Sequence, residues 1–237
     1  MPTVPETLHA LYAVQLKDTQ IQRAKKAQAA LDNGTTAAAA STQAHAEAAR
    51  RSSIAHTLTG ELKDSELKLE TLETKRKNYQ QKLYQGSVTN ARELANMEKE
   101  IDMMGRQRSD LDGRVLELME QSEEAREAQT LAEAKAAAAA EHHKQTVAAY
   151  QARYRTLDQE LVGLNAERQA AVALVEDQTA LKRYETLRAK LAGVGIAKIE
   201  GGACGGCHMT LSSTVIKTVK ENAAIQTCEN CGRMLLA

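Results

Sequence analysis

After Pro5 the chain contains no further proline among its 237 residues, and it has neither tryptophan nor phenylalanine. Because proline breaks helix interiors, its absence permits very long helices. A chain so poor in large aromatic side chains cannot fill a compact core on the scale of about 200 residues. Alanine, glutamate, lysine, leucine and arginine are abundant, which is typical of long helices that pack along a narrow seam. The sequence therefore predicts a mostly α-helical fold.

Two stretches carry the alternating four-and-three spacing of apolar residues that defines a coiled coil, at residues 58–83 and 94–118. Between them, Gly86 is suited to end one helix and Asn90 to cap the next. A short turn between long helices implies antiparallel neighbours. We therefore predict a long antiparallel coiled-coil hairpin over residues 1–172, with its tip near residues 85–90.

Centring the turn between Ser87 and Val88 predicts which residues face each other. The alanine-rich residues 37–40 then lie opposite residues 135–138, Leu11 opposite Leu164, and Ile21 opposite Tyr154. Asp32-Asn-Gly34 is the weak point of the first arm, and we expect a kink or short break there.

All four cysteines lie near the end of the chain, in two Cys-x-x-Cys pairs separated by twenty residues: Cys204, Cys207, Cys228 and Cys231. This spacing is typical of a tetrahedral four-thiolate zinc site, which leaves no open position for water or substrate. Two redox or disulfide pairs and an iron–sulfur centre are the alternatives. We predict one structural Zn²⁺ in a zinc ribbon within residues 173–237, which also contain a linker helix. His208 is expected to pack beside the site rather than to bind the metal.

Charge and hydropathy exclude several classes of protein. The 31 basic and 31 acidic residues balance, so the overall charge gives no argument for nucleic-acid or membrane binding. No apolar stretch is long enough to cross a bilayer, and residues 1–6 lack the features of a signal peptide. No nucleotide-binding loop, catalytic triad or paired-carboxylate pocket is recognisable. We expect a cytoplasmic protein that is not an enzyme and has no membrane-inserted segment.

Three segments together resemble a known family: Leu83-Tyr-Gln-Gly-Ser-Val-Thr-Asn90 at the tip, residues 201–211 around the first cysteine pair, and Cys228-Glu-Asn-Cys-Gly-Arg233. The chain resembles the bacterial C4-type zinc-ribbon coiled-coil proteins, often described as predicted nucleic-acid-binding proteins, which include a flagellar regulator group. Ala91 and Arg92 depart from the Pro-Lys expected after the tip asparagine, and Leu236 stands where an aromatic residue is often found.

The resemblance implies an adaptor that binds protein partners: the alternative sigma factor of RNA polymerase, or components of a flagellar or secretion apparatus. It also implies RNA binding, and a regulatory protein that binds RNA or DNA is the alternative function. In either case we expect contacts through the hairpin tip and the ribbon. The candidate contact residues are Lys75, Lys77, Lys82, Tyr84, Arg92, Lys217, Lys220 and Arg233. The sequence does not determine the partner, the pathway or the oligomeric state.

Overall fold

A computed structural model describes residues 2–86, 90–221 and 224–237. Its elements, in chain order, are α1 (Val4–Ala29), α2 (Thr35–Tyr84), α3 (Ala91–Ala173), α4 (Gln178–Lys190), β1 (Ile196–Glu200), β2 (Ala203–Cys204), α5 (Ser213–Glu221) and β3 (Met234–Leu236). The predicted mostly helical fold, a hairpin followed by a small four-cysteine ribbon, is confirmed.

The residues form two compact units. One, the ribbon unit, consists of the residues up to Asn33 together with Val147–Ala237; the other, the hairpin unit, is Gly34–Thr146. The predicted division of the chain after residue 172 stays a prediction.

The first arm is broken where the sequence is weakest. α1 begins with a capping box, in which the Thr3 backbone N–H donates to the Glu6 carboxylate at 2.8 Å. It ends at Ala29, and Gly34 has a φ of +82°, which glycine adopts without a side-chain penalty. The expected break at Asp32-Asn-Gly34 is therefore a complete interruption between α1 and α2.

The hairpin unit consists of α2 and the first part of α3. α3 begins at Ala91, and the Asn90 side chain accepts the Arg92 backbone N–H at 3.0 Å, as a helix cap does. Residues 87–89 of the predicted tip lie outside the described residues. Gly86 has a φ of +69°, as expected after the end of a helix.

The predicted register of the hairpin is wrong by about one heptad. Glu73, predicted opposite Asp102, instead pairs with Arg108, and Ile21 packs against Leu161 rather than Tyr154. In an antiparallel coiled coil, a slip of seven residues again brings apolar positions face to face, so heptad spacing alone permits both registers. The alanine blocks were a misleading guide, because Ala48 packs with Ala132 and Ala136.

The ribbon unit has most of the large, fully buried side chains of the described chain. Leu11 and Val14 of α1 pack with Tyr184 of α4 and with Ile196 and Met234 of the sheet. The strand order is β2-β1-β3, with β1 antiparallel to β2 and parallel to β3. One face of β1 and β3 thus contributes to a core shared with α1 and α4.

The rest of the ribbon is formed by short elements. α5 follows Leu211, and β3 lies near the end of the chain. Thr227 forms only a single antiparallel bridge with Met234. Among the described helices, none combines the length and hydropathy needed to span a membrane.

Candidate metal centre

The two Cys-x-x-Cys segments fold into matching turns. In the first, the N–H of His208 donates to the carbonyl of Cys204 at 2.7 Å, and in the second the N–H of Gly232 donates to the carbonyl of Cys228 at 2.8 Å. The residue after each turn has a positive φ, +62° at His208 and +76° at Gly232. Equal turns aim the two pairs of sulfurs at one point from opposite sides.

The four sulfurs have the spacing of a zinc site. They all lie within 4.8 Å of one another, with Cys204 Sγ 3.9 Å from Cys231 Sγ and Cys207 Sγ 3.7 Å from Cys228 Sγ. A tetrahedron with Zn–S bonds of about 2.3 Å has edges of about 3.8 Å, so these distances fit. None of the four cysteines is in a disulfide.

The ionisation of the thiols differs across the site. Burial raises the pKa of Cys204 to about 12, and burial also raises the pKa of Cys228. Burial opposes ionisation of Cys231 as well, but hydrogen bonds from the backbone N–H and the guanidinium of Arg233 lower its pKa to about 7. A metal that binds here must therefore displace protons, above all from Cys204.

Arg233 links the metal centre to the chain after α4. Its Nε donates to the carbonyl of Val194 at 3.0 Å and its Nη2 to that of Leu191 at 2.9 Å. The side chain crosses the first turn so closely that a Cβ at Gly206 would lie 2.5 Å from its Cδ. A larger residue at position 206 would therefore force the Arg233 side chain to move.

Two family models match the chain. The CT398-like coiled coil hairpin domain matches residues 14–192, and the C4-type zinc ribbon domain matches residues 203–235. The chain belongs to this family of coiled-coil hairpin proteins with a zinc ribbon. Together with the sulfur geometry, this assignment makes the four cysteines the ligands of one structural Zn²⁺.

Solved structures share the fold of this family member at low sequence identity. CT398 from Chlamydia trachomatis superposes with a TM-score of 0.70 at 17% identity, over 98% of each chain. A Mycobacterium smegmatis protein gives 0.68 at 20% identity over both whole chains. HP0958 from Helicobacter pylori gives 0.50 at 17% identity, over 100% of this chain and 99% of its own.

The curated relatives do not indicate a function for this chain. Uncharacterised proteins from two strains of Mycobacterium tuberculosis are 29% identical over 167 residues, which is 68% of this chain. The match spans 66% of their own length, just under two thirds. The family supports a structural or binding role and leaves the partner open.

A buried glutamine that the sequence analysis missed holds the loop between α4 and β1. Gln15 of α1 accepts the N–H of Gly195 at 2.8 Å through Oε1 and donates to the carbonyl of Gly193 at 3.0 Å through Nε2. The loop that carries the two Arg233 acceptors is therefore also held by α1.

A charged network lies beside this glutamine. The Asp18 side chain, 3% exposed, accepts Arg168 Nε at 2.7 Å, Arg188 Nη1 at 3.1 Å and the Tyr184 hydroxyl at 2.6 Å. Glu185 pairs with both arginines. The hydrogen bond with Asp18 is the main cause that raises the pKa of Arg168, and burial is the main cause for Tyr184. The signal for this cluster was present, because Gln15 and Asp18 interrupt the apolar spacing of α1.

The predicted contact residues of the ribbon differ in how exposed they are. Lys217 and Lys220 lie on the exposed side of α5, with Lys217 Nζ 3.8 Å from Glu221. Arg233 is half-buried and uses its guanidinium within the chain. His208 is exposed and does not belong to the cysteine cluster. The partner contacts of the ribbon stay predictions.

The predicted contact residues near the tip belong to the hairpin unit. Tyr84 is 84% exposed and Lys77 and Arg92 are exposed, whereas Lys75 lies over the ring of Tyr79, with Nζ 5.8 Å from its centroid. A hydrogen bond with Glu100 raises the pKa of Tyr79. Lys75 and Lys82 point along one side of α2, since they are seven residues apart.

Proposed function

We propose that this protein is a non-enzymatic adaptor, in which the zinc ribbon and the hairpin present surfaces to protein partners. One observation carries the proposal. The hairpin unit buries small side chains, among them Ala37, Ala48 and Ala136, while Leu67, Leu116 and Leu131 of the same helices are more than half exposed. Large apolar side chains left in water favour contact with another protein.

The metal site supports a structural role for the ribbon. Four thiolates complete the tetrahedral coordination of zinc, so the ion has no position for a substrate. Zinc binding would instead supply folding free energy to a small module whose own apolar core is limited.

By family resemblance, we propose a cytoplasmic adaptor linked to transcription through an alternative sigma factor, or to flagellar or secretion-apparatus assembly. The test is affinity capture with the tagged full-length protein from its native cell, with and without nuclease, followed by identification of the retained proteins. Specific proteins retained after nuclease treatment support the adaptor. Retention that nuclease abolishes contradicts it.

RNA or DNA binding is the second candidate. The exposed ring of Tyr84 is next but one to Lys82, and a ring beside a cation is suited to stack on an unpaired base. If phosphates are bound, the logarithm of the affinity falls steeply with the logarithm of the salt concentration. Titration of a labelled single-stranded oligonucleotide at several salt concentrations therefore separates the two candidates.

A further inference from the structure

A groove runs along one side of the hairpin unit between α2 and α3. One part, 570 Å³, is lined by Leu72 and Leu111 and by the 62% exposed Leu67. A second part, 360 Å³, is lined by Tyr79 and Met97. The lining residues of the two parts recur every seven positions on each helix, so both parts lie on the same side of the hairpin.

The rim formed by α2 is basic. Lys68, Lys75 and Lys82 are spaced by seven residues, which places all three on this side. None of the ion pairs within the described residues includes Lys68 or Lys75. Of the acids of α2, Glu61 pairs with Arg114 and Glu73 with Arg108.

The rim formed by α3 is acidic. Glu93, Glu100 and Asp110 line it, and all three are exposed. The 54% exposed Met103 lies on the same side, seven residues before Asp110. An apolar floor thus separates a row of lysines from a row of carboxylates.

This division of charge favours an amphipathic helix over a nucleic acid as the partner. A nucleic acid in the groove would face the carboxylates of α3 at every point where its phosphates met the lysines of α2. An amphipathic helix meets both rims at once, if its apolar stripe is flanked by acidic residues along one edge and basic residues along the other.

We propose that the groove binds such a helix from a protein partner, which completes a three-helix coiled coil over at least two heptads. The inference rests on the proposed adaptor function and specifies its binding surface. The charged edges define the direction of the bound helix, because turning it end to end places like charges together.

The probe is a labelled synthetic helix of four heptads, with apolar core positions, glutamate along one edge and lysine along the other. Its control has the same composition with both charges mixed on each edge. Exchanging the two edges is no control, because the peptide then binds in the opposite direction. Fluorescence anisotropy with the full-length zinc-loaded protein should show about tenfold tighter binding of the sorted peptide, as expected for several exposed charge pairs.

The protein variants reverse one rim. Lys68→Glu with Lys75→Glu makes both rims acidic, so the sorted peptide should lose its advantage and a peptide with lysine on both edges should bind best. Lys63→Glu is the matched control for Lys68→Glu alone: Lys63 lies on the opposite side of α2 at 100° per residue, and the order of affinities should not change in this variant. Circular dichroism checks that all variants stay helical.

Equal binding of the sorted and mixed peptides would overturn the proposal, as would equal effects of Lys68→Glu and Lys63→Glu. Weaker oligonucleotide binding in the Lys68→Glu, Lys75→Glu variant without any peptide binding would assign the groove to nucleic acid. If no peptide binds but nuclease-resistant protein capture persists in that variant, the groove proposal fails and the adaptor function stands.

Discussion

The two compact units of this protein differ in the size of the side chains that they bury. The ribbon unit buries large side chains such as Tyr184, Leu11 and Met234 and surrounds them with specific hydrogen bonds. The hairpin unit buries mainly alanine, together with Met104 and Leu118, along a repeating seam. In the ribbon unit, the shapes of the buried side chains and their hydrogen bonds allow one arrangement. In the hairpin unit, the helices are aligned by a repeat that several registers satisfy equally.

The largest expected effect that separates the two units is removal of a zinc ligand. Cys207→Ser leaves three thiolates, so zinc should fall from about one per chain to a small fraction, as measured by elemental analysis. Ile196 and Met234 belong to a core with α1, and loss of zinc should loosen their part of it. Proteases should then cut from about Gly193 onward. Ser212→Ala, outside the cysteine cluster, is the control. Full zinc retention in Cys207→Ser would contradict the assignment.

Loss of the buried carboxylate should be the next largest effect. Asp18→Asn leaves Arg168 and Arg188 with only the partly exposed Glu185 as a shared anion, and breaking a buried pair costs about 3–5 kcal/mol. We expect the lower end of this range, since the arginines are partly exposed. The matched change in the hairpin unit, Glu73→Gln, removes an exposed pair and should leave the urea midpoint nearly unchanged. Similar urea midpoints for Asp18→Asn and Glu73→Gln would contradict the proposed difference between buried charge pairs in the ribbon unit and exposed ones in the hairpin unit.

Cross-linking tests the register of the hairpin unit. In a variant whose native cysteines are serine, Ala48→Cys with Ala132→Cys should form a disulfide, since the two alanines are packed together. The bond should stabilise the hairpin unit by about 2–4 kcal/mol. Ala38→Cys with Ala137→Cys, the register predicted from the sequence, should stay reduced. Cross-linking of the second pair in place of the first would restore the earlier register.

The smallest expected effect is alkaline destabilisation through Tyr184. Its pKa is raised in the folded state, so below pH 10 both states hold the proton and stability is independent of this group. Above pH 10 the unfolded chain releases the proton first, and stability falls with rising pH by up to about 1.4 kcal/mol per unit. Tyr184→Phe should lower stability at pH 8 but flatten this slope in urea denaturation, whereas Tyr84→Phe should change neither. An unchanged slope in Tyr184→Phe would refute the assignment.

The sequence predicted the metal ligands well because their evidence is local. Two Cys-x-x-Cys turns need only nearby residues to form, and the helix ends at Gly34 and Asn90 are equally local signals. The hairpin register was not predictable in this way, because a slip by one heptad again places apolar positions face to face. The Gln15 and Asp18 contacts join residues between 150 and 180 positions apart, and spacing in one sequence does not reveal such partners.

That separation has a consequence for the order in which the protein is made. The ribosome synthesises α1 first, but the main-chain groups that Gln15 binds emerge about 180 residues later. Meanwhile α2 and α3 contact each other over far shorter separations, and contacts close in sequence form fastest. The hairpin unit is therefore expected to fold during translation, while the apolar face of α1 stays exposed until the ribbon has been synthesised. Mistakes in biogenesis, including capture of nascent α1 by chaperones or aggregates, should concentrate in this interval.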